Sequence, residues 1–454
     1  MIVSNRGPVS FDLVDATPVA RRGAGGLTSA LAPLIAGTDT LWVAAAMTEG
    51  DRVVAGRGVT DADDFRVRLL SFDEHTWKFH YDTVCNEALW FVHHGLFDPV
   101  YEPAWPPGWL GEAWAAHRLV NEEFAAAVGA EAAQGSVVLI QDYHLCLMGQ
   151  TLRDLRPDLH LVHFSHTPFA PPAWLRMLPR AARQEMLQGL AAHHGVGFHT
   201  ARWAQDFEAS CLDNGVTAPK TFVAPLGPDP EDLERTARSS GRVHAASALE
   251  AVVGDKAFIV RVDRIELSKN ILRGFLAYEA LLESEPKFHG RIVFGAYCYP
   301  SRQGVAAYDR YAQAVQDRVD SINARFGTSE WTPVHYDPTD DYARSVAALM
   351  RADVVVVNPI RDGLNLVAKE AMVLNERNAQ LVLSAEAGAW AELGEDAWGV
   401  DPFDVAETAS ALGAALEVSE DERIRRFEAL RAASLARTPE HWLADQVRAV
   451  GQAN

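Results

Sequence analysis

The 454-residue sequence has only four cysteines, Cys85, Cys146, Cys211 and Cys298. They lie far apart and form no CxxC pair, which excludes a disulfide framework and reads as free thiols in a reducing compartment. No stretch approaches the ~18 uninterrupted apolar residues of a membrane span. The opening MIVSNRGPVSF lacks the charged and apolar regions of a signal peptide. The expected location is therefore the cytoplasm, with no membrane partner. Cations are in deficit: 41 Lys and Arg against 61 Asp and Glu leave a formal net charge of −20. No basic stripe rises above that background, so nucleic acid is not an expected partner. Also missing are a GxxxxGK[ST] phosphate loop and an HExxH zinc pair. A DAD triplet at 61–63 sits in the polar segment GVTDADDF and reads as an exposed loop. His80, Cys85, His93 and His94 have no regular ligand spacing, so neither a metal nor another cofactor is expected.

What is present is an apolar fraction of 48%, enough for two or three domains of about 150 residues each. Continuous strand-like runs at 137–140, 159–164, 257–262, 291–296 and 353–357 alternate with helix-like segments such as 271–282 and 305–324. Runs without polar alternation are those of parallel strands covered on both faces. The order predicts an α/β protein with doubly wound sheets. Strand signals stop near 226–243, where Pro, Ser and charge accumulate. Two Rossmann-like domains then fit, at 1–230 and 231–435, with the cleft between them as the expected ligand site. Residues 436–454 read as a further helix whose docking the pattern leaves open, and a homo-oligomer stays possible.

An acidic protein that binds phosphate must gather its cations locally, and four constellations matter, each where a strand gives way to a loop or helix. SNRGP at 4–8 is followed by RRGAGGL at 21–27, with Gly23, Gly25 and Gly26 ahead of a helix. Glycines let backbone approach a phosphate, and helix-start N–H groups point at the anion. QDYH at 141–144 and SHTPF at 165–169 place Asp142 and His166 at strand ends, suited to sugar hydroxyls. VDRIELSKN at 262–270 offers Arg264 and Lys269 to a diphosphate, one as a fork and one as a point charge. Arg302, in YPSRQG, is a similar candidate. NPIRDGLNLVAKE at 358–370 turns at Asp362-Gly363 and starts a helix at Asn365, Leu366 and Val367, with free N–H groups. Glu370, one turn on, can accept from a ribose diol. Each segment alone has a plainer reading: a flexible turn, a capping Asp with a structural His, solvated cations, or an acidic residue favoured by the helix dipole. The last explains Glu370 but not the whole string.

Together these segments resemble the trehalose-6-phosphate synthases, retaining glycosyltransferases of the GT-B architecture. SNR, the GGL turn, YDTVCNEALW, QDYHL, HTPF, RDGLNLVAKE and DPFD occur in family order from residue 4 to about Trp442. The resemblance implies transfer of glucose from a nucleotide-diphosphate glucose to glucose 6-phosphate, without a metal. It also implies roles: Arg6, Tyr81, Trp90 and Arg302 hold the acceptor, both Arg on its phosphate. Gly26, next to Gly25, lies at the donor phosphate, and Asp142, His166 and Asp362 contact the transferred glucose. Arg264 and Lys269 clamp the diphosphate, and Leu366 with Glu370 grips the nucleotide, flanked by Asn365 and Val367. The departing phosphate takes the acceptor's proton, so no protein nucleophile is needed. One segment departs from the family's RxDYxKG: RIELSKN has Glu266 for Asp, Leu267 for Tyr and Asn270 for Gly. A KN ending also occurs in related pseudo-glycosyltransferases that use a GDP-cyclitol, which tips the expected donor from UDP-glucose to GDP-glucose. Those enzymes are one rival reading. A non-catalytic sugar-phosphate-binding homologue is another, disfavoured by the survival of Arg264, Lys269, Asp362 and Glu370.

Overall fold

The uninterrupted apolar runs form parallel strands, whose two covered faces leave no position for polar alternation. The structure, a computed structural model, describes residues 1–23, 26–302 and 305–451. The chain divides into two units: Met1–Leu226 joined by the segment from Pro439, and Gly227–Thr438. The divisions lie at 226/227 and 438/439, whereas the sequence reading placed them at 230/231 and 435/436. Among the described residues no helix is long and apolar enough to cross a membrane.

The first unit contains β1 (Ile2–Val3), β2 (Val9–Val14), β3 (Thr17–Arg22), β4 (Leu41–Ala45), β5 (Val59–Ala62) and β6 (Phe65–Leu70). After them come β7 (Val137–Gln141), β8 (His160–Ser165), β9 (Gly195–Phe198) and β10 (Lys220–Val223). Eight of these make one sheet in the order β10-β9-β8-β7-β1-β4-β6-β5, while β2 and β3 form a separate hairpin. All pairs of the large sheet are parallel except β5–β6. The chain winds outward from β1 in both directions, so β1 and β7 bracket a topological switch point. Open α/β sheets bind ligands outside the carboxyl ends of strands at such a point. SNRGP follows β1, and Asp142 follows β7.

One segment differs from the sequence reading, and another takes a winding on which the pattern gave no expectation. GVTDADDF is not a loop: it forms β5, a turn with Asp63 at φ 48°, and the start of β6. Val59 to Ala62 finds an antiparallel partner in Phe65–Leu70, and Asp61 stays exposed beside Arg66. YDTVCNEALW winds as a π-helix from Phe79 to Leu89 before an α-helical turn, Trp90–His94. Such winding is rare overall and frequent at functional sites. The last helix, Pro439–Gly451, packs on β7, β8 and β9 of the first unit. It is anchored by buried Trp442, edge-on to Phe164 at 5.2 Å, and by Ala449 against Leu139 and Val162.

The second unit is a six-stranded, wholly parallel sheet. Its strands are β11 (Ala257–Ile265), β12 (Ile292–Pro300), β13 (Val334–Asp337), β14 (Val354–Val357), β15 (Gln380–Ser384) and β16 (Trp398–Val400). Their order is β13-β12-β11-β14-β15-β16, so the winding reverses between β11 and β14. RIELSKN leaves β11 and NPIRDGLN leaves β14, which puts both on the same switch point. Phe258, Val260, Phe275, Phe294, Val355 and Leu381 are among its buried core.

Candidate active site

In the second unit the two loops are built as one body. Arg261, buried within β11, donates to Asp263 at 2.9 Å, to Asn358 Oδ1 at 2.7 Å and to the carbonyl of Lys269. The Ile360 amide donates to the Ser268 carbonyl at 2.8 Å. Asn270 stands in the left-handed region at φ 59°, where a Cβ is tolerated best for Asn after Gly. Its Nδ2 donates to the carbonyls of Asn358 and Pro402 at 3.0 and 2.7 Å. Asp362-Gly363 is held by the 386–389 turn: a Cβ on Gly388 would collide with the Gly363 carbonyl, and the Ala389 amide donates to Leu364 O at 2.7 Å.

These loops bring Lys269, Asp362 and Asn365 into contact. Lys269 Nζ lies 2.6 Å from Asp362 Oδ2 and 3.9 Å from Asp263. Asn365 Nδ2 donates to the same Asp362 oxygen at 3.2 Å, while its Oδ1 caps the helix Leu366–Leu374 by accepting from Ala368 N–H. That helix start presents the first-turn amides of Leu366 and Val367, which have no intrahelical acceptor. Burial alone would lower the Lys269 pKa, but Asp362, Asp263 and Glu266 outweigh it and hold the ammonium above its usual value. Arg264 is half-exposed and its NH1 pairs with buried Glu266 at 2.9 Å. Arg302 meets the same Glu266 oxygen at 3.5 Å and donates to Tyr308 OH at 2.8 Å, and Ser301 donates to it at 3.0 Å. Burial opposes ionisation of Glu266, yet Arg264, Arg302 and Lys269 hold its pKa down at about 2. Glu370, one turn into the helix, is pushed up to about 7 by burial and then by Asp232.

Two of the three residues that depart from RxDYxKG are thus explained by the fold. Glu266 ties two arginines together, and Asn270 fills a left-handed position while bridging two carbonyls. Both side chains turn into the protein. The sequence-based argument for GDP over UDP loses its basis here, since these changes serve the loop's own structure.

In the first unit, the turn at Gly23 lies against SNRGP: its amide donates to Pro8 O at 2.7 Å, and a Cβ there would strike the Gly7 carbonyl. Gly26 opens the helix Gly26–Ile35, and Gly25 lies outside the described residues. Arg6 NH2 donates to Tyr81 OH at 3.4 Å. Tyr81 stacks on Trp77 at 5.3 Å and on His144 at 6.0 Å. Tyr143 continues this aromatic layer to Trp90, which is itself stacked on His94 at 3.9 Å. Asp142 sits at φ 73°, ψ 164°, a region other than glycine rarely enters. Its Oδ1 accepts from His166 N–H at 3.2 Å, so the ends of β7 and β8 are locked together. Burial pushes the His166 ring down to about 3, so it is neutral. Both ring nitrogens already have partners: Nε2 lies 3.1 Å from Gln141 Oε1 and Nδ1 lies 3.3 Å from His199 Nε2.

Among the described residues one set of donors is close enough to share a metal ion: His80, Cys85 and His117, all buried. Spacing did not announce it, because π-helical winding turns Cys85 over His80 and His117 comes from the helix Ala113–Glu131. The two Nδ1 atoms are 2.9 Å apart, an N–H···N bond between rings that burial keeps neutral. Arg261, Gln141 and His199 were also missed; two lie inside strands and the third at a strand end, where a polar residue looks like a break in the pattern.

Residues 1–452 match the model of glycosyltransferase family 20. The chain is similar to the alpha,alpha-trehalose-phosphate synthase [UDP-forming] of Schizosaccharomyces pombe, 31% identical over 448 residues, 93% of this chain and 84% of that one. It is 30% identical to the bifunctional trehalose-6-phosphate synthase/phosphatase of Thermoproteus tenax over 98% of its length, but spans only 62% of that protein. The trehalose-6-phosphate structure from E. coli bound with UDP-2-fluoro glucose superposes with a TM-score of 0.86 at 26% identity, covering 99% of this chain and 98% of that one.

Proposed function

We propose that this chain, which belongs to glycosyltransferase family 20, transfers glucose from a nucleoside diphosphate glucose to glucose 6-phosphate, forming trehalose 6-phosphate with retention and releasing the nucleoside diphosphate. The observation that carries the reading is the gathering of Lys269, Asp362, Asn365 and a helix start at the switch point of the second unit. As the bond from the glucose C1 to the diphosphate breaks, negative charge grows on the leaving oxygen. Arg264, Lys269 and the amides of Leu366 and Val367 meet that charge. In the second unit Glu370 is assigned to the ribose diol and Asp362 to the transferred glucose; in the first, Asp142 and His166 are assigned to sugar hydroxyls and Gly26 to the donor phosphate. Arg6, Tyr81, Trp90 and Arg302 hold the acceptor, whose hydroxyl attacks C1 from the side the phosphate leaves and gives its proton to that phosphate. A neutral, doubly engaged His166 suits this route, which asks no base of the protein.

For the donor base the reading is uracil. The S. pombe relative is named UDP-forming and the E. coli structure carries a UDP sugar, while Glu266 and Asn270 are accounted for without reference to a base. The deciding experiment measures kcat/KM for UDP-glucose and GDP-glucose with glucose 6-phosphate, following the product by proton NMR. An α,α-linked disaccharide phosphate and a ratio favouring UDP-glucose are expected. A ratio favouring GDP-glucose overturns the base assignment, and no transfer from either donor overturns the function.

A further inference from the structure

Gln446, on the C-terminal helix, is buried in the first unit, and its Oε1 accepts from Gln141 Nε2 at 2.8 Å. Gln141 Oε1 faces His166 Nε2 at 3.1 Å, His166 Nδ1 faces His199 Nε2 at 3.3 Å, and His199 Nδ1 faces the Leu226 amide at 3.4 Å. A backbone N–H can only donate, and a neutral imidazole has one donor and one acceptor nitrogen. The direction of every bond then follows from the Leu226 end. His199 accepts at Nδ1 and donates from Nε2; His166 accepts at Nδ1 and donates from Nε2; Gln141 accepts at Oε1 and donates to Gln446. In the reverse direction two N–H groups would confront each other at Leu226.

We infer that the Leu226 amide, His199, Gln141 and Gln446 form a one-way relay that fixes His166 as its Nε2–H tautomer. Gln141, His199 and Gln446 are then positioning residues for His166, and the C-terminal helix returns to the first unit to supply the terminal acceptor. This rests on the reading above, in which His166 borders the transferred sugar. With Nδ1 accepting and Nε2 donating within the protein, His166 takes no proton from the acceptor. The low basicity of the ring agrees with that.

The test is long-range nitrogen–proton correlation NMR on the full chain with nitrogen-15 in its histidines, the His166 signals identified by their loss in His166→Gln. A single species with the proton on Nε2, unchanged across neutral pH, is expected. A proton on Nδ1, or a mixture of tautomers, overturns the relay. His199→Phe removes the donor to His166 Nδ1, so nothing then sets the direction of the remaining bonds. His166 should then populate both tautomers, and kcat should fall about tenfold with KM for glucose 6-phosphate unchanged. His199→Gln, which restores a side-chain N–H, should return the single tautomer. An unaltered tautomer and kcat in His199→Phe contradict the inference. Should that variant fail to fold, the wild-type spectrum decides alone. Trehalose 6-phosphate formation by the wild-type chain is read separately, so failure of the relay and failure of the functional reading are told apart.

Discussion

Consider Lys269→Ala beside Arg264→Ala. Both remove a cation placed to meet charge on the leaving diphosphate, and losing one such contact in the transition state costs about 3 kcal/mol, roughly a hundredfold in kcat. Their structural settings differ. Lys269, its side chain 14% exposed, lies 2.6 Å from Asp362 and 3.9 Å from Asp263, so its loss takes the close ammonium from Asp362, while Asp263 keeps Arg261 at 2.9 Å. Breaking a buried pair in this way costs about 3–5 kcal/mol, and residual exposure of Asp362 at 17% points to the lower end. Arg264 is 44% exposed, and its partner Glu266 keeps Arg302 and Ser301 when Arg264 is gone. Solvent screening then limits the stability cost to under about 1 kcal/mol. Both variants should lose about two orders of magnitude in kcat, whereas only Lys269→Ala should lose several kcal/mol in denaturant unfolding. Steady-state rates with UDP-glucose and glucose 6-phosphate, taken where both variants are folded, supply the first comparison. Near-wild-type turnover in either variant would refute the clamp, and equal stability losses would refute the ion-pair reasoning.

Arg302→Ala should impair use of glucose 6-phosphate far more than nucleotide binding; calorimetry showing lost nucleotide binding with intact acceptor binding would contradict it. Glu370 has a folded pKa of about 7 against 4.5 for the ordinary side chain, so folding favours its protonated form. Its contribution to stability is whole below about 4.5 and is lost as pH rises through 7. A ribose diol prefers the carboxylate, so donor affinity should strengthen as pH rises toward 7 and level off above it. Glu370→Gln should flatten that profile, and a profile of unchanged slope in this variant would remove Glu370 from the nucleotide site. Turnover should survive excess chelator with desalted substrates, because Arg264, Lys269 and helix-start amides meet the leaving charge; loss of activity restored by magnesium or manganese would overturn that.

Much of the fold was readable because parallel strands advertise themselves as apolar runs, as at 137–140 and 353–357. The errors sit where charge enters the sheet. β11 was read as ending at 262, yet it runs to Ile265 because Arg261 and Asp263 neutralise each other inside it. The 141–446 pairing, 305 residues apart in sequence, leaves no local signal at all. GVTDADDF was read as a loop from its acidity, although an edge strand needs only one inward residue, here Ala62. The π-helix was invisible for a different reason: its five-residue spacing resembles neither a helix stripe nor a strand alternation.

Backbone conformation marks the switch point of each unit more directly than composition does. Eight described residues other than glycine have positive φ, and four of them are Asp142, Asn270, Arg302 and Asn365. Each stands just beyond a strand's carboxyl end or at a helix start, where the chain must leave its own sheet abruptly. The asparagines meet that demand cheaply, since Asn visits the left-handed region readily. Asp142 and Arg302 do not, and such positions cost of order 1–3 kcal/mol unless surrounding contacts compensate. Here the Asp142 carboxylate accepts the His166 amide, and Arg302 is gripped by Glu266 and Tyr308. Local preference and fold therefore disagree at the residues to which the proposed reaction assigns the sugar and the acceptor phosphate, and that disagreement marks functional sites in proteins generally.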